Sequence, residues 1–434
     1  MALAYVALAT DNDDRRDGIA VVDIAVGSPT LGQVVGRVDL PGGGNEVRHF
    51  GWSSGRSTSA EHRYLIAPGT HSSRIHIVDT MPDPRAPRLV KVIERDEVVE
   101  RTGYTAPHTV HCGPDGIYVS ALGSAEGDGP GGIFVLDPET FEARERWESS
   151  RGPQQLAYDF HWHPRHGAMI TSEWGTPRML AHGVNTDLLV DGKYGRALHV
   201  WNLATREHER TIDLGRDQQM VLGLCPAHNP ARAYGFAGVV LSVDDLSASV
   251  FLWYLGREAD GSPGAWSARK VITIPARPAD PASLPPLLRD RGVVPPLVTG
   301  INLSPDDRWL YVSCWGTGEL RQYDVSDPFN PVLTSLVRLG GIVRRATHPG
   351  SPDTPRSGGP QMTAIAHDGR SVYVTNALYT PWDAQFYPDG IRGWMAKVDV
   401  HAKGMRVDPD FLVEFDEGMR PHQVRLHHGD GLAV

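Results

Sequence analysis

The chain contains few cysteines. Cys112, Cys225 and Cys314 are the three cysteines in 434 residues, and they lie far apart in the sequence. Three well-separated cysteines give no disulfide framework, and structural disulfides are rare in reducing compartments such as the cytoplasm. We therefore expect a cytoplasmic protein whose stability does not depend on disulfide bonds.

The sequence also lacks an excess of basic residues and a long apolar run. It has 42 lysines and arginines against 52 aspartates and glutamates, and its formal net charge is −10. Nucleic-acid-binding proteins usually carry a basic surface, and a membrane-spanning helix needs about 20 mainly apolar residues. The apolar N-terminal stretch has no basic region ahead of it and alternates at once in the manner of a strand. We expect neither nucleic acid nor membrane as a partner.

Helical periodicity is almost absent, and alternation of apolar and polar residues replaces it. Residues 116–123 (GIYVSALG), 308–325 and 371–382 alternate in this way and are rich in Val, Tyr and Trp. Such alternation is typical of half-buried strands. A turn such as GPDG or SPDD precedes these stretches, and a second strand that ends in an acidic turn follows them. Four-strand units that recur every 40 to 60 residues indicate a β-propeller.

Seven such units can be counted, so the fold class that we expect is all-β, a seven-bladed β-propeller. Six units lie at about 46–94, 107–148, 157–214, 221–274, 297–339 and 360–415. Three N-terminal strands have no inner strand of their own, and the C-terminal HQVRLHH would supply it and so close the ring. The alternative, two β-sandwiches, fits the strand content but not the four-strand rhythm. We expect one domain over 1–434, with inter-blade insertions near 275–296 and 341–359.

Several histidines fall on the predicted inner strands, which surround the central channel of a propeller. They are His49, His108, His111, His161, His163 and His422. Imidazole is a good ligand for copper and zinc, although one inner-strand histidine is more often a hydrogen-bonded structural residue. His161 and His163 should share a face of their strand, whereas His108 and His111 should point to opposite faces, so not all can bind one metal. Glu46 and Glu173 are the carboxylates best placed to join or orient a ligand.

These residues leave the chemistry open. Zinc would suit hydrolysis and copper would suit oxidation by dioxygen, and the spacing does not choose between them. Cys112 adjoins His111 and could be activated as a thiolate, but a lone buried cysteine more often packs as a small apolar side chain. The sequence has no G-x-S-x-G nucleophile elbow and no glycine-rich phosphate loop in a strand-to-helix context.

Several longer segments carry a family resemblance. They include HFGW at 49–52, SSRIHIVDT at 72–80, HTVHC at 108–112, YDFHWHPRH at 158–166, GGPQM at 358–362 and PHQVRL at 421–426. Through these segments, in this order, the chain resembles the selenium-binding protein family, which includes the methanethiol oxidases. The resemblance implies a seven-bladed propeller, in agreement with the count of units.

The resemblance also implies a function. It implies copper-dependent oxidation of a small thiol, methanethiol in particular, by dioxygen, with formaldehyde, hydrogen sulfide and hydrogen peroxide as products. The implied copper ligands are the six histidines named above, and Glu173 and His111 are the expected catalytic residues.

The chain departs from the family pattern at several positions. The family often has a Cys-Ser-Ser-Cys run after HFGW, whereas residues 52–60 here read WSSGRSTSA, so selenium attachment by that route is not expected. Arg48 replaces a second histidine before FGW, Arg196 and Ala197 stand where the family tends to have a histidine, and Gly300 replaces an acidic residue. These changes keep two alternatives open: a lactonase-like metal-dependent hydrolytic propeller and a non-catalytic binding platform.

Overall fold

The structure, a computed structural model, describes residues 2–10, 15–53, 63–113, 115–258, 260–401 and 403–427. In this part of the chain, seven four-stranded antiparallel sheets form the blades of a β-propeller. The predicted fold class is therefore confirmed.

We number the blades from the N-terminus and name the strands of each from the inner strand outwards. Blade 1 consists of Met419–Leu426, Leu3–Thr10, Gly18–Asp23 and Val34–Asp39; blade 2 of Gly51–Ser53, Tyr64–Pro68, Ile75–Asp79 and Arg88–Ile93; blade 3 of Tyr104–Cys112, Ile117–Ser124, Gly132–Leu136 and Ala143–Arg146; blade 4 of Phe160–His163, Ala168–Ser172, Ala197–Asn202 and His208–Asp213; blade 5 of Gln218–Pro226, Tyr234–Ser242, Ala248–Arg257 and Pro263–Ile274; blade 6 of Val298–Leu303, Trp309–Cys314, Glu319–Asp324 and Val332–Arg338; and blade 7 of Thr363–Ile365, Ser371–Thr375, Trp394–His401 and Gly404–Glu414.

The two chain ends meet in blade 1. Leu3–Thr10 pairs antiparallel with Met419–Leu426, and Val6 lies opposite Val424. Both strands are buried along their whole length, because adjoining blades cover each face of a propeller blade. The predicted closure by the N- and C-terminal strands is correct, and it leaves no open edge between the first and last blades.

Short helices and hairpins interrupt the blades. The α-helices are α1 (Arg95–Thr102), α2 (Pro177–Ala181), α3 (Thr186–Val190) and α4 (Thr380–Phe386), and the 3₁₀ helices are Pro164–His166, Pro281–Ser283 and Pro286–Arg291. Strand pairs Arg277–Pro278 with Val293–Val294 and Thr347–His348 with Ser351–Pro355 lie in the two stretches predicted as insertions. Among the described residues, no helix is both long and apolar enough to cross a membrane.

Aromatic side chains from loops within two blades form one apolar cluster near the inner strands. The second-to-third-strand loop of blade 4 contributes Trp174, and that of blade 7 contributes Tyr379, Trp382 and Phe386. They pack together with Tyr158, which lies two residues before the inner strand of blade 4. Trp174 and Tyr379 stack with ring centroids 5.5 Å apart. This aromatic cap places two tyrosines against the histidines described next.

Candidate metal centre

Three of the predicted histidines come together from adjacent blades, and we call His49, His108 and His422 the histidine triad. His49 lies two residues before the inner strand of blade 2, whereas His108 and His422 lie on the inner strands of blades 3 and 1. The ring centroid of His49 is 4.2 Å from that of His108 and 5.1 Å from that of His422. All three side chains are buried, so the triad has little contact with solvent.

The ring nitrogens of the triad are incompletely paired. Both nitrogens of His49 and Nε2 of His422 are buried and have no hydrogen-bond partner among the described residues. Nδ1 of His422 lies 2.8 Å from the carbonyl oxygen of Ala377; it therefore donates, which leaves the lone pair on Nε2. Buried polar atoms are usually paired with protein or water. The orphaned imidazole nitrogens therefore fit a metal that accepts nitrogen ligands, copper among them.

Burial also keeps the triad neutral. It lowers the pKa of His108 to about 3 and lowers the pKa of His49 and of His422 well below their ordinary value. Electrostatic interactions lower these pKa values further, with His108 in the case of His49 and with the positively charged Arg48 in the case of His422. A neutral imidazole is the form that binds a metal.

A second group lies beside the triad and consists of His111, Asp159 and His161; we call it the Asp159 group. Nε2 of His111 is 3.0 Å from Oδ1 of Asp159, and Nε2 of His161 is 4.0 Å from Oδ2. One potential ligand atom from each residue lies within 4.8 Å of the others. The side chains of His111 and His161 are each 18% exposed. This group is therefore more accessible to solvent than the triad.

Asp159 holds His111 in one tautomer. Burial alone would raise the pKa of Asp159, but the hydrogen bond from His111 and the electrostatic interaction with both imidazoles lower it to about 2. The carboxylate is therefore ionised and accepts the hydrogen bond, so Nε2 of His111 donates, and in that tautomer the lone pair is on Nδ1. The backbone N–H groups of Phe160 and Leu224 also donate to Asp159, each at 2.8 Å.

His108 and His111 thus join different groups although they share one strand. The pairing of this strand with its neighbour shifts register between Pro107 and Val110, and Ala106 has a positive φ of 53°. The two groups are still adjacent, because His111 is near enough to His49 to contribute to the lowering of the pKa of His49. The structure agrees with the expectation that His108 and His111 point to different sides.

His163 lies elsewhere. Its Nε2 accepts a hydrogen bond of 3.2 Å from Nε1 of Trp253, and its ring centroid is 5.1 Å from that of Trp266. Both tryptophans belong to blade 5, so His163 packs between blades 4 and 5. The strand ends at His163, whose ψ of 84° is not that of a regular strand. The expectation that His163 shares a site with His161 fails because of this turn.

We predict that His163→Ala leaves copper binding intact. The substitution removes an acceptor for Trp253 and opens a cavity between two blades, so we expect the free energy of unfolding to fall by about 2–3 kcal/mol. Copper content after loading and the urea midpoint, both measured on the same preparation, check this. Loss of copper with unchanged stability would return His163 to the metal site.

The two predicted carboxylates are engaged outside both groups. Oε1 of Glu173 is 2.9 Å from Nε2 of His199, whose Nδ1 is 3.0 Å from Nε2 of His208. Glu46 pairs with Arg48 at 2.6 Å, so it orients an arginine rather than a histidine of the triad. The structure therefore does not bring the expected catalytic residue Glu173 to the triad or to the Asp159 group.

Three residues of the site were not predicted from the sequence. Asp159 directly precedes the strand with His161, a position where an acidic residue usually caps a turn. The hydroxyl of Tyr379 lies 2.7 Å from Nε2 of His108, and the ring of Tyr158 lies 4.4 Å from that of His108. An acidic residue two positions before His161 was the available signal, whereas the approach of Tyr379 depends on the fold of a long loop.

The positions that depart from the family pattern have structural explanations. Arg48 is buried; besides Glu46 it contacts Oγ1 of Thr380 at 3.0 Å. Arg196 lies 3.4 Å from Asp213 on the outer part of blade 4, and Ala197 begins the third strand there. A Cβ atom at Gly300 would lie 2.5 Å from the carbonyl oxygen of Gln361, so this backbone has no room for an acidic side chain.

Two further expectations from the sequence concern Cys112 and the position of the family's cysteine run. Sγ of Cys112 lies 2.6 Å from the carbonyl oxygen of Trp52, which makes it a thiol donor and gives no support to an activated thiolate. The segment at 54–60, where the family often has its cysteine run, lies outside the described residues.

Comparison with known proteins identifies the family. The family of 56 kDa selenium-binding proteins matches residues 1–433. A methanethiol oxidase of Xenopus laevis is 37% identical over 449 residues, with 96% of this chain and 91% of that protein covered. The crystal structure of a hypothetical selenium-binding protein from Sulfolobus tokodaii is 46% identical, has a TM-score of 0.94 and covers 100% of this chain and 95% of that one.

A more distant structure shares the fold alone. The periplasmic gluconolactonase of Pseudomonas aeruginosa is 13% identical to this chain, with a TM-score of 0.60 and 98% of each chain covered. Likeness at that identity carries no functional argument. The resemblance drawn from the sequence motifs is confirmed, and the chain belongs to the family of 56 kDa selenium-binding proteins.

Proposed function

We propose that this protein binds copper at the histidine triad and oxidises a small thiol, methanethiol in particular, with dioxygen. The observation that carries the proposal is the set of buried, unpaired imidazole nitrogens on His49 and His422. Support comes from a relative of similar length that is named methanethiol oxidase. The balanced reaction takes one methanethiol, one dioxygen and one water to formaldehyde, hydrogen sulfide and hydrogen peroxide. Carbon is oxidised, and dioxygen takes up the electron pair.

His49 and His422 are the residues that would hold the copper. Copper supplies the one-electron redox changes between a thiol and dioxygen, which zinc cannot supply. His108 has both nitrogens hydrogen-bonded, Nδ1 to Thr109 at 2.9 Å and Nε2 to Tyr379 at 2.7 Å. It therefore packs beside the other two rings and has no free nitrogen of its own to offer a metal.

His111 is the residue best suited to take the proton of the thiol. Asp159 fixes the N–H on Nε2, so the lone pair on Nδ1 is available as a base. The partial exposure of His111 gives the proton a route to solvent. This agrees with the catalytic role expected for His111, whereas Glu173 has no such position.

The aromatic cap excludes water from the triad. Tyr158, Trp174 and Tyr379 are almost completely buried and contact one another or the triad. A dry, apolar surrounding strengthens electrostatic interactions at the reacting atoms and protects them from side reactions. It also favours a small apolar substrate such as methanethiol over a hydrated one.

The test compares the same protein loaded with copper and with zinc. We expect the copper form to consume dioxygen when methanethiol is added, with equal amounts of oxygen consumed and hydrogen sulfide formed. The zinc form should be inactive. The copper form should take up no oxygen when methanol is added in place of methanethiol. Turnover by the zinc form, or none by the copper form, would contradict the proposal.

The hydrolase alternative has one observation in its favour. The Asp159 group offers two imidazoles and a carboxylate, a donor set that suits zinc. However, His111 and two backbone N–H groups already donate to the oxygens of Asp159. The carboxylate thus acts as a partner of His111, which makes the oxidase the better supported function.

A further inference from the structure

A large polar cleft lies away from the histidines, where the stretch 341–359 meets blades 7 and 1. Its volume is about 690 Å³, and its lining includes five arginines but two carboxylates, Asp389 and Glu417. The arginines are Arg15, Arg345, Arg356, Arg392 and Arg420. The proposed oxidase reaction uses none of these residues.

Arg356 is the most informative residue of this cleft. Its side chain is 4% exposed and contacts Glu414 through one terminal nitrogen. Its Nε is buried without a hydrogen-bond partner among the described residues. A buried guanidinium with an unused donor is costly. The lining of the cleft therefore includes an arginine whose hydrogen-bonding capacity the described residues do not fill.

Two further arginines are available at the surface of the cleft. Arg345 pairs with Asp389 at 2.8 Å, but a guanidinium has five N–H donors and keeps some after one such contact. Arg392 is exposed and forms no ion pair with the residues that the structure describes. The hydroxyls of Thr354 and Ser357 lie in the same lining and can donate as well.

The lining of this cleft has more arginines than carboxylates, although the whole chain carries a negative net charge. The net charge of the whole protein is −10, yet guanidinium groups outnumber carboxylates in the lining. Arg356 and Arg420 are already paired with Glu414 and Asp383. Arg392 is therefore an arginine that adds uncompensated positive charge to this concave surface, where the field on an anionic ligand is concentrated. Arginine forms paired hydrogen bonds with phosphate oxygens, and the volume lies in the range of metabolite sites.

We propose that this cleft binds a small phosphate-bearing molecule, with its anionic group between Arg356 and Arg392. The overall negative charge of the protein disfavours a nucleic-acid polymer as the ligand. The proposal does not depend on copper or on thiol oxidation.

Isothermal titration of the full-length protein with pyrophosphate tests this proposal, with sodium chloride at equal ionic strength as the salt control. We expect saturable binding of pyrophosphate, weaker binding of inorganic phosphate, and none of chloride. Arg392→Gln should weaken pyrophosphate binding about tenfold, because a charge-assisted contact is lost. Since Arg392 is exposed, this variant should fold normally.

Arg101→Gln is the matched control, because Arg101 is an exposed arginine on α1, far along the chain from the cleft. It should bind pyrophosphate like the wild type. The absence of pyrophosphate binding beyond the salt control would overturn the proposal. Equal weakening by Arg101→Gln and Arg392→Gln would also overturn it, because it would show a general effect of charge.

Discussion

Replacing His49 with alanine should remove the bound copper and lower the rate of methanethiol oxidation more than about 100-fold. His49 has two buried ring nitrogens without a partner, and its ring lies between those of His108 and His422. Without it, His422 would be the one residue of the triad with a nitrogen that has no partner among the described residues. The loss should therefore affect copper content first and activity as a consequence.

Two measurements on the same preparation check this prediction: copper content after loading and dialysis, and oxygen uptake with methanethiol. His401→Ala is the matched control, because His401 is an exposed histidine on an outer strand of blade 7. It should keep both copper and activity. A folded His49→Ala protein with full copper content would show that the triad is not the metal site.

Acidification should strongly destabilise the metal-free protein between pH 7 and pH 5. Burial lowers the pKa of eight histidines. It lowers the pKa to about 4 for His76 and His163, to about 3 for His108 and His161, well below the ordinary value for His49 and His422, and below the ordinary value for His208 and His348. The unfolded chain takes up these protons near pH 6.5, whereas the folded chain does so only at lower pH. Stability is therefore lost as the pH falls from about 6.5 towards 4.

Three buried carboxyls act in the opposite direction. Burial raises the pKa of Asp17 and Asp383 to about 6 and that of Glu148 to about 7. Acidification stabilises the fold through these groups, because they bind protons in the folded state first. Each of the four histidines with a pKa of about 3 or 4 costs about 2 kcal/mol at pH 5, and the three carboxyls together return about 4–5 kcal/mol, which leaves a net loss of several kcal/mol. That loss is comparable to the whole stability of a typical domain.

Urea unfolding of the metal-free protein at pH 7 and pH 5 measures this effect. We expect a much lower midpoint at pH 5, and a smaller decrease for His76→Gln, because His76 is buried on the third strand of blade 2, outside the triad. Copper should protect the wild type from acid, since protons compete with the metal for the same nitrogens. Equal midpoints at the two pH values would contradict the account.

The sequence predicted the blades well because alternation and turns recur along the whole chain. Six units and the closing strand Met419–Leu426 could be located from these patterns, since each strand carries its own local signal. The number of domains stays a prediction. The insertion near 341–359, expected as a loop, contains the strand pair of Thr347–His348 with Ser351–Pro355, which is too short for periodicity to reveal.

The site could be predicted in part, because the strand that carries a residue does not fix where its side chain points. His163 follows the same pattern as His161, but its strand ends there and its ring enters the space between two blades. Glu46 forms an ion pair with the unexpected Arg48. Tyr379 contacts His108 although the two residues are 271 positions apart in the sequence. Only the folded chain shows this contact.

The most direct test of the central claim is the metal content of the wild-type protein after copper loading and dialysis, read together with the electron paramagnetic resonance spectrum. The account predicts about one copper per chain, with hyperfine coupling to imidazole nitrogens. Retention of no copper, or of copper without nitrogen coupling, would contradict it.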